Sequence, residues 1–471
     1  MTRSSADHPS STRRLIVVAN RLPVRRVEDE HGSRWVTSPG GLVSALQPSL
    51  QAQDGVWIGW SGQAAAEGEG ARGFLHDRIE HRVVPLSEEE LEGFYTGFSN
   101  STLWPLYHDC VRTPVFHRRW WKPYVDVNSS YAQRAIETAG EEDICWVQDY
   151  QLQLVPQMIR AQRPEMRIGF FLHIPFPPRE LFAQLPWRTQ ILEGILGADL
   201  VGFQTPTGAQ NFLACVRAYT DASVTGNTVR FEDREITVSA FPISIDVQRY
   251  EKLALSPEVQ ARAAELREHF GDRKVFLGVD RLDYTKGIDH RLRAFESLLR
   301  RSPEAAERAV LVQIAVPSRE SVDEYAELRV DIERLVGRIN GTYAEVGTVP
   351  VHYLYRSLPI EELVAYYLLA DTMVVTPLRD GMNLVAKEYV ASRIEDSGNL
   401  VLSEFAGAAA EFKRALQVNP HDVDGVAATL EKTLEEGDSA ASKRRMISLR
   451  RTLRENDVHR WAARFLDTLS S

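Results

Sequence analysis

Apolar residues along this chain gather in short unbroken runs rather than in strict alternation. Leu15–Ala19, Ile144–Val147, Ile168–Leu172, Leu200–Phe203, Val275–Val279, Val310–Ala315 and Thr372–Val375 are the clearest. A strand that is apolar on both faces belongs inside a parallel sheet covered by helices. Helical spacing of apolar residues follows most of these runs; His290–Arg300, with Leu292, Phe295 and Leu299, is one case. Strand–helix alternation on this scale predicts an α/β protein with doubly wound parallel sheets. The runs fall into two batches, one on each side of Phe241–Asp246, which reads as a linker. The segment Asp457–Leu469 is amphipathic through Val458, Trp461, Phe465 and Leu469. No strand follows it, so it must pack on a surface built earlier.

Composition narrows the class. A chain of 471 residues exceeds one ordinary core. Hydrophobic residues are 44% and charged residues 25%, as in globular proteins. No apolar run reaches the roughly 18 residues that a membrane-spanning helix needs. Met1–Arg14 is rich in Ser, Thr and Arg and lacks the apolar centre of a signal peptide; it reads as a disordered tail. Three widely spaced cysteines, Cys110, Cys145 and Cys215, fit a reducing compartment and hence the cytoplasm. A net charge of −10 opposes nucleic-acid binding but not a focused site for a small phosphate ligand.

In open α/β sheets ligands bind beyond the carboxyl ends of the strands, and two such sheets leave a cleft between them. Candidate chemistry lies just after the apolar runs. Arg21, in Ala19-Asn20-Arg21-Leu22-Pro23, can fork onto a phosphate. Gly40 and Gly41, in Ser38-Pro39-Gly40-Gly41-Leu42, open a helical pattern and let backbone N–H groups approach an anion. Asp149 and His173 end two further strands. Arg281 and Lys286, in Asp280-Arg281-Leu282-Asp283-Tyr284-Thr285-Lys286-Gly287, can both reach a diphosphate and neutralise its charge as a sugar leaves. Arg319 offers another cationic fork. The segment Thr376–Glu388 turns at Asp380-Gly381 and starts a helix near Asn383; its first-turn N–H groups suit phosphate and sugar oxygens. Asp380 can accept from sugar hydroxyls. Glu388 lies one turn beyond Leu384 on the same face and can hold a ribose diol.

Taken together these segments resemble the trehalose-6-phosphate synthases, retaining glycosyltransferases with two Rossmann-like domains (the type B glycosyltransferase fold). The matching stretches include those above together with Gly59-Trp60-Ser61-Gly62, Phe98-Ser99-Asn100, Leu103-Trp104-Pro105, Phe171–Pro177, Pro317-Ser318-Arg319 and Gly337–Gly341, and span nearly everything from residue 15 onward. The resemblance implies a tail over 1–14, an acceptor-binding domain over 15–242, a nucleotide-sugar domain over 243–453, and a final helix over 454–471 that packs back on the first domain. It also implies roles. Arg21, Trp60, Tyr95 and Arg319 would form the acceptor's phosphate pocket. Trp104, Asp149 and His173 would contact the two sugars. Arg281 and Lys286 would clamp the diphosphate. Asp380, Gly381, Met382, Asn383 and Leu384 would hold donor glucose and phosphate, Gly40 and Gly41 would add to the donor site, and Glu388 would bind ribose. Asp149, His173, Arg281, Lys286 and Asp380 would be the catalytic set.

The implied reaction joins a nucleotide-glucose to glucose 6-phosphate, giving α,α-trehalose 6-phosphate. UDP-glucose is the default donor, with GDP- and ADP-glucose open, since no side chain is plainly placed to read a base edge. No cofactor or metal is expected: the chain offers its own cations, and no His/Cys cluster or metalloenzyme motif is present. The expected partners are these small substrates, with a homo-oligomer open and neither membrane nor nucleic acid. The run Asp422-Val423-Asp424 superficially matches the phosphatase signature carried by some relatives, but Asn419-Pro420-His421 precedes it where that enzyme needs a strand. Two alternatives remain: a related transferase with another sugar or cyclitol phosphate as acceptor, and a non-catalytic sugar-phosphate sensor. A sensor would be expected to have lost Asp380, Lys286 or Glu388, and all three are present.

Overall fold

The apolar runs become the inner strands of two separate sheets. The computed structural model describes residues 13–29, 32–37, 43, 46–47, 50–51, 54–65, 73–302, 304–318 and 323–471. The first sheet orders its strands in space as Ser223–Thr225, Thr228–Phe231, Arg234–Ala240, Leu200–Phe203, Arg167–Leu172, Ile144–Gln148, Leu15–Arg21, Val56–Trp60, Ile79–Val83 and Gly73–His76. Its centre is parallel; antiparallel hairpins close both edges. The second sheet is parallel throughout, in the order Val351–Tyr355, Ala309–Val316, Lys274–Arg281, Thr372–Val375, Asn399–Ser403 and Leu416–Val418. Strands buried on both faces dominate each centre, as the composition of the runs requires.

Strand order decides where ligands can bind. In the first sheet the chain builds outward from Leu15–Arg21 through Val56–Trp60, then returns to place Ile144–Gln148 on the other side of Leu15–Arg21. In the second it builds outward from Lys274–Arg281, then returns to place Thr372–Val375 on that strand's other side. Each return is a topological switch point, where the helices diverge and leave a crevice at the strands' carboxyl ends. Arg21 and Asp149 follow the strands of the first switch point. Arg281 and Asp380 follow those of the second.

The chain crosses between the halves at two places. Phe241–Asp246 carries no regular structure and leads into the helix Val247–Ala254. The last helix, Val458–Ser470, is capped by Asp457 and lies on the strands Arg167–Leu172 and Leu200–Phe203 of the first sheet. Phe465 stacks on Trp146 at 4.2 Å, and Trp461 sits 5.2 Å from the same ring. Gly169 and Gly202 leave the room: a Cβ on either would come within 2.7 Å of Phe465. The Trp461 indole N–H donates to the Phe241 carbonyl at 3.0 Å, so this helix also braces the linker.

One boundary moves. The reading of a disordered tail through Arg14 is corrected at its end: the Arg14 backbone N–H and guanidinium donate to the Asp143 carboxylate at 2.9–3.2 Å. Arg14 therefore lies at the amino end of a central strand, which Leu15 begins. Arg13 is described too, 3.5 Å from Glu142, while residues 1–12 lie outside the described residues.

Candidate active site

On the first sheet, Arg21 ends its strand with the guanidinium 4.7 Å above the Trp60 ring. Trp60 in turn lies 5.8 Å from Tyr95. Trp57, three residues earlier on the same strand, faces the opposite side and donates its indole N–H to the Arg21 carbonyl at 2.9 Å. One tryptophan thus fixes the backbone of Arg21, and the other cradles its charge.

Tyr95 and Trp104 lie nine residues apart, which in an α-helix would place them on opposite faces at 100° per residue. The segment Leu91–Leu103 is instead a π-helix, and the Trp104 N–H bonds back five residues to the Ser99 carbonyl. At roughly 4.4 residues per turn, two such turns return Trp104 to the face of Tyr95. Tyr95 then meets Trp60, and Trp104 lies 5.5 Å from Tyr150. The wider winding brings both rings to the sheet's carboxyl edge.

Asp149 has φ 74° and ψ 173°, a conformation otherwise reserved for glycine. Holding it costs about 1–3 kcal/mol and requires anchors. The Asp149 N–H donates to the Phe171 carbonyl at 2.7 Å, and its Oδ1 accepts the His173 N–H at 3.1 Å. The His173 ring is occupied on both sides: Nε2 lies 2.9 Å from Gln148 Oε1, and Nδ1 lies 3.4 Å from Gln204 Nε2. An amide oxygen accepts and an amide nitrogen donates, so the ring is neutral with its proton on Nε2. Burial lowers its pKa to about 3. His173 therefore positions its backbone and ring without exchanging a proton near neutrality.

On the second sheet, Arg281 ends its strand, and its guanidinium lies 5.7 Å from the Trp104 ring. Lys286 closes a short 3₁₀ turn begun by Asp283, whose carboxylate accepts from the Thr285 N–H and hydroxyl at 2.9 Å. Gly287 must follow: its φ is +61°, and a Cβ would lie 2.3 Å from the Thr376 carbonyl. Lys286 Nζ reaches Asp380 at 2.7 Å, and Asn383 donates to the same carboxylate oxygen at 3.1 Å. Burial pushes the Asp380 carboxyl up, but the charge and hydrogen bond of Lys286, with help from His108 and Asn383, hold it below its ordinary value. Gly381 presses against the first sheet's loop, where a Cβ would lie 2.1 Å from the His173 carbonyl. Asn383 caps the helix Leu384–Ser392 from a left-handed conformation, φ 79°. Met382 is buried beside it, and Leu384 is half-buried.

Glu388 sits one turn further along. Its Oε2 accepts the Tyr367 hydroxyl at 2.8 Å, and Tyr250 also hydrogen-bonds it. Burial raises its pKa, with the two tyrosines and Arg249 pulling the other way. It is not a solvated surface residue.

The structure thus gathers Arg21, Trp60, Tyr95, Trp104, Asp149 and His173 on one wall of the cleft. Arg281, Lys286, Asp380, Gly381, Met382, Asn383, Leu384 and Glu388 stand on the other. Gly40, Gly41 and Arg319 lie outside the described residues. A void of about 380 Å³ behind the His173–Gly381 contact shares only Asp380 and Gly381 with this set. Residues that the sequence reading missed are Gln148, Gln204, Tyr250, Tyr367, His108, Asp109 and Arg379. Only His108 left a signal: it follows Trp104 by one helical turn, the spacing at which side chains meet.

The whole described chain matches one family model, that of glycosyltransferase family 20, over residues 13–471. Trehalose-6-phosphate synthase of Mycobacterium marinum is 52% identical over 468 residues, covering 97% of this chain and 93% of the relative. The chain belongs to the trehalose-6-phosphate synthase family. The Mycobacterium tuberculosis member is also 52% identical, over 475 residues, 97% of this chain and 94% of its own. Among solved structures, the UDP-forming α,α-trehalose-phosphate synthase of Burkholderia vietnamiensis superposes with a TM-score of 0.91 at 34% identity, covering 98% of this chain and all of the other. The Burkholderia xenovorans member, solved in complex with glucose 6-phosphate, gives 0.90 at 34% identity, covering 97% and 100%. These matches give this chain the family's two-domain fold and make it a glycosyltransferase.

Proposed function

We propose that this protein transfers glucose from UDP-glucose to glucose 6-phosphate with retention, forming α,α-trehalose 6-phosphate and UDP. The observation that carries this reading is the opposition of two switch points. A cation stacked on an aromatic ring (Arg21 on Trp60) faces a second cationic pair (Arg281 and Lys286) across one cleft. The first suits the acceptor's phosphate, the second the donor's diphosphate. The relatives named above as UDP-forming and as bound to glucose 6-phosphate support both assignments.

In this reading the bond from glucose C1 to the β-phosphate oxygen breaks while C1 bonds the acceptor's anomeric oxygen on the same face. The acceptor's proton passes to the departing phosphate oxygen. Arg281 and Lys286 stabilise the charge that grows there, and the first turn of Leu384–Ser392 adds its N–H groups. Asp380, fixed by Lys286 and Asn383, takes donor hydroxyls, and Asp149 takes acceptor hydroxyls. No metal is invoked, because the chain's own cations supply the charge. We assign the enzyme to the cytoplasm, in keeping with three cysteines that are all free thiols.

The experiment is product analysis by NMR with uridine, guanosine and adenosine diphosphate-glucose and glucose 6-phosphate. An α,α-1,1 linkage from UDP-glucose is the expected result. Binding without turnover would convert the reading to a sensor, and turnover only with another phosphorylated acceptor would replace glucose 6-phosphate.

Tyr367→Phe should raise donor KM by roughly 2- to 12-fold, the worth of one ordinary hydrogen bond. The phenol lowers the Glu388 pKa, so losing it moves that pKa further up. Glu388 then protonates at a higher pH, and the acid limb of kcat/KM for the donor should shift toward neutrality. A limb that stays in place, with KM unchanged, would detach Glu388 from ribose binding.

A further inference from the structure

The segment Trp104–Arg112 of the first half approaches the second half through Trp104, His108, Asp109 and Arg112. The Arg281 guanidinium lies 5.7 Å from the Trp104 ring. The His108 ring lies 4.2 Å from the Trp104 ring, tilted by 35°, and its Nδ1 lies 2.8 Å from the Trp104 carbonyl. A carbonyl can only accept, so Nδ1 carries the proton. Burial lowers the His108 pKa to about 4, and its charged neighbours are Asp283, Lys286 and Asp380, all from the second half. Asp109 Oδ2 stands 3.0 Å from Arg379 Nε, an ion pair rather than an aligned hydrogen bond. Arg112 lies 5.9 Å from the Tyr284 ring.

The backbone is bent to make these contacts. Asp109 and Cys110 are consecutive non-glycine residues in the left-handed region, with φ 57° and 55°. Such a conformation persists only where the surroundings over-determine it. Here the Cys110 N–H donates to the Pro105 carbonyl at 2.9 Å and the Val111 N–H to His108 at 3.2 Å, which fixes the turn. The turn delivers Asp109 to Arg379, the residue immediately before Asp380. Arg112 reaches Tyr284, two residues before Lys286. Both contacts therefore act on the loops that carry the Lys286–Asp380 pair.

We propose that Trp104–Arg112 is a clasp between the two halves, with Asp109 and Arg112 as positioning residues that couple acceptor binding to assembly of the donor's cationic clamp. The proposal rests on the functional reading above, with Trp104 on the acceptor wall of the cleft, 5.5 Å from Tyr150. A ligand that orders Trp104 favours the clasped arrangement, in which Arg281, Lys286 and Asp380 are already placed for the diphosphate. Coupling of this kind is reciprocal: the donor's nucleotide must favour the acceptor by the same factor.

Titration calorimetry tests it, using UDP and glucose 6-phosphate as probes, each alone and each in the presence of saturating partner. The wild-type protein should show a coupling factor of about 5-fold or more. Asp109→Asn removes the charge while keeping a residue that tolerates positive φ. It should bring the coupling factor to within about twofold of unity, leave each single-ligand Kd within about twofold, and lower kcat more than it raises either KM. Adding Arg379→Gln to Asp109→Asn should change the coupling less than twofold further, since the pair is already broken. Arg379→Lys should retain part of it. Arg112→Gln is the second, independent probe and should also reduce coupling. Coupling within twofold of wild type in both Asp109→Asn and Arg112→Gln overturns the clasp, as does a wild-type factor near unity. Wild-type protein that binds neither probe instead overturns the functional reading, and the clasp with it.

Discussion

Lys286→Ala should lower kcat by about 10²–10³-fold, the usual cost of removing one group aimed at developing charge. Donor KM should change much less, because the diphosphate's charge grows as the glucosyl bond breaks. A rise in KM with kcat intact would demote Lys286 to ground-state binding. The structure adds a second consequence. Lys286 is only 8% exposed and holds Asp380 at 2.7 Å, so its removal strands a buried carboxylate. In the wild type the Asp380 pKa is depressed, so its stabilisation is present above the ordinary carboxylate range and is lost as pH falls through the folded value. Without Lys286, burial dominates and the pKa rises above the ordinary value. The charged form then destabilises the fold at neutral pH, and the penalty disappears as pH falls below the ordinary range. The Tm gap between the variant and wild type should therefore narrow between about pH 7 and pH 4. A constant gap would show that the Lys286–Asp380 pair contributes nothing electrostatic.

Glucose should be a very poor acceptor beside glucose 6-phosphate. Loss of two charge-assisted forks at about 1.5–3 kcal/mol each predicts roughly 10²–10⁴-fold in kcat/KM. Arg21, placed 4.7 Å above the Trp60 ring, would be one fork. Arg319, outside the described residues, would be the other, as its place after a strand and the resemblance imply. Arg21→Ala should cost roughly 10- to 150-fold with glucose 6-phosphate and almost nothing with glucose, since glucose has no phosphate to lose. Equal losses with both acceptors would mean that Arg21 shapes the pocket without reading the phosphate. Comparable rates for the two acceptors in the wild type would remove the phosphate requirement itself.

Much of this architecture was legible because its signals are local. The run Thr372–Val375 is a strand with the bounds its composition suggested, and Leu200–Phe203 is another. The turn at Asp380-Gly381 and the cap at Asn383 follow from residue types that favour turns and helix starts. Val56–Trp60 escaped notice, although it is wholly buried. Its Gly59 interrupts the run of strand-forming residues, and only the fold explains that glycine, whose Cβ would strike the Arg21 backbone at 2.7 Å.

What the sequence determined by itself was the kind of chemistry and its place at strand ends. Charge type, turn residues and two apolar batches suffice for that, because each depends on neighbours in the chain. The tertiary structure decided which side chains share a wall. Tyr95 and Trp104 share one through π winding, which no periodicity in Leu91–Leu103 announces. It also decided protonation. His173 is neutral because burial disfavours its charge, and Gln148 and Gln204 set its tautomer; Asp380 is charged because Lys286 arrives from 94 residues away. It joined Asp109 to Arg379, residues that have no relation along the chain. Hydrogen bonds and electrostatic fields depend on separation in space, and only the folded chain sets those separations.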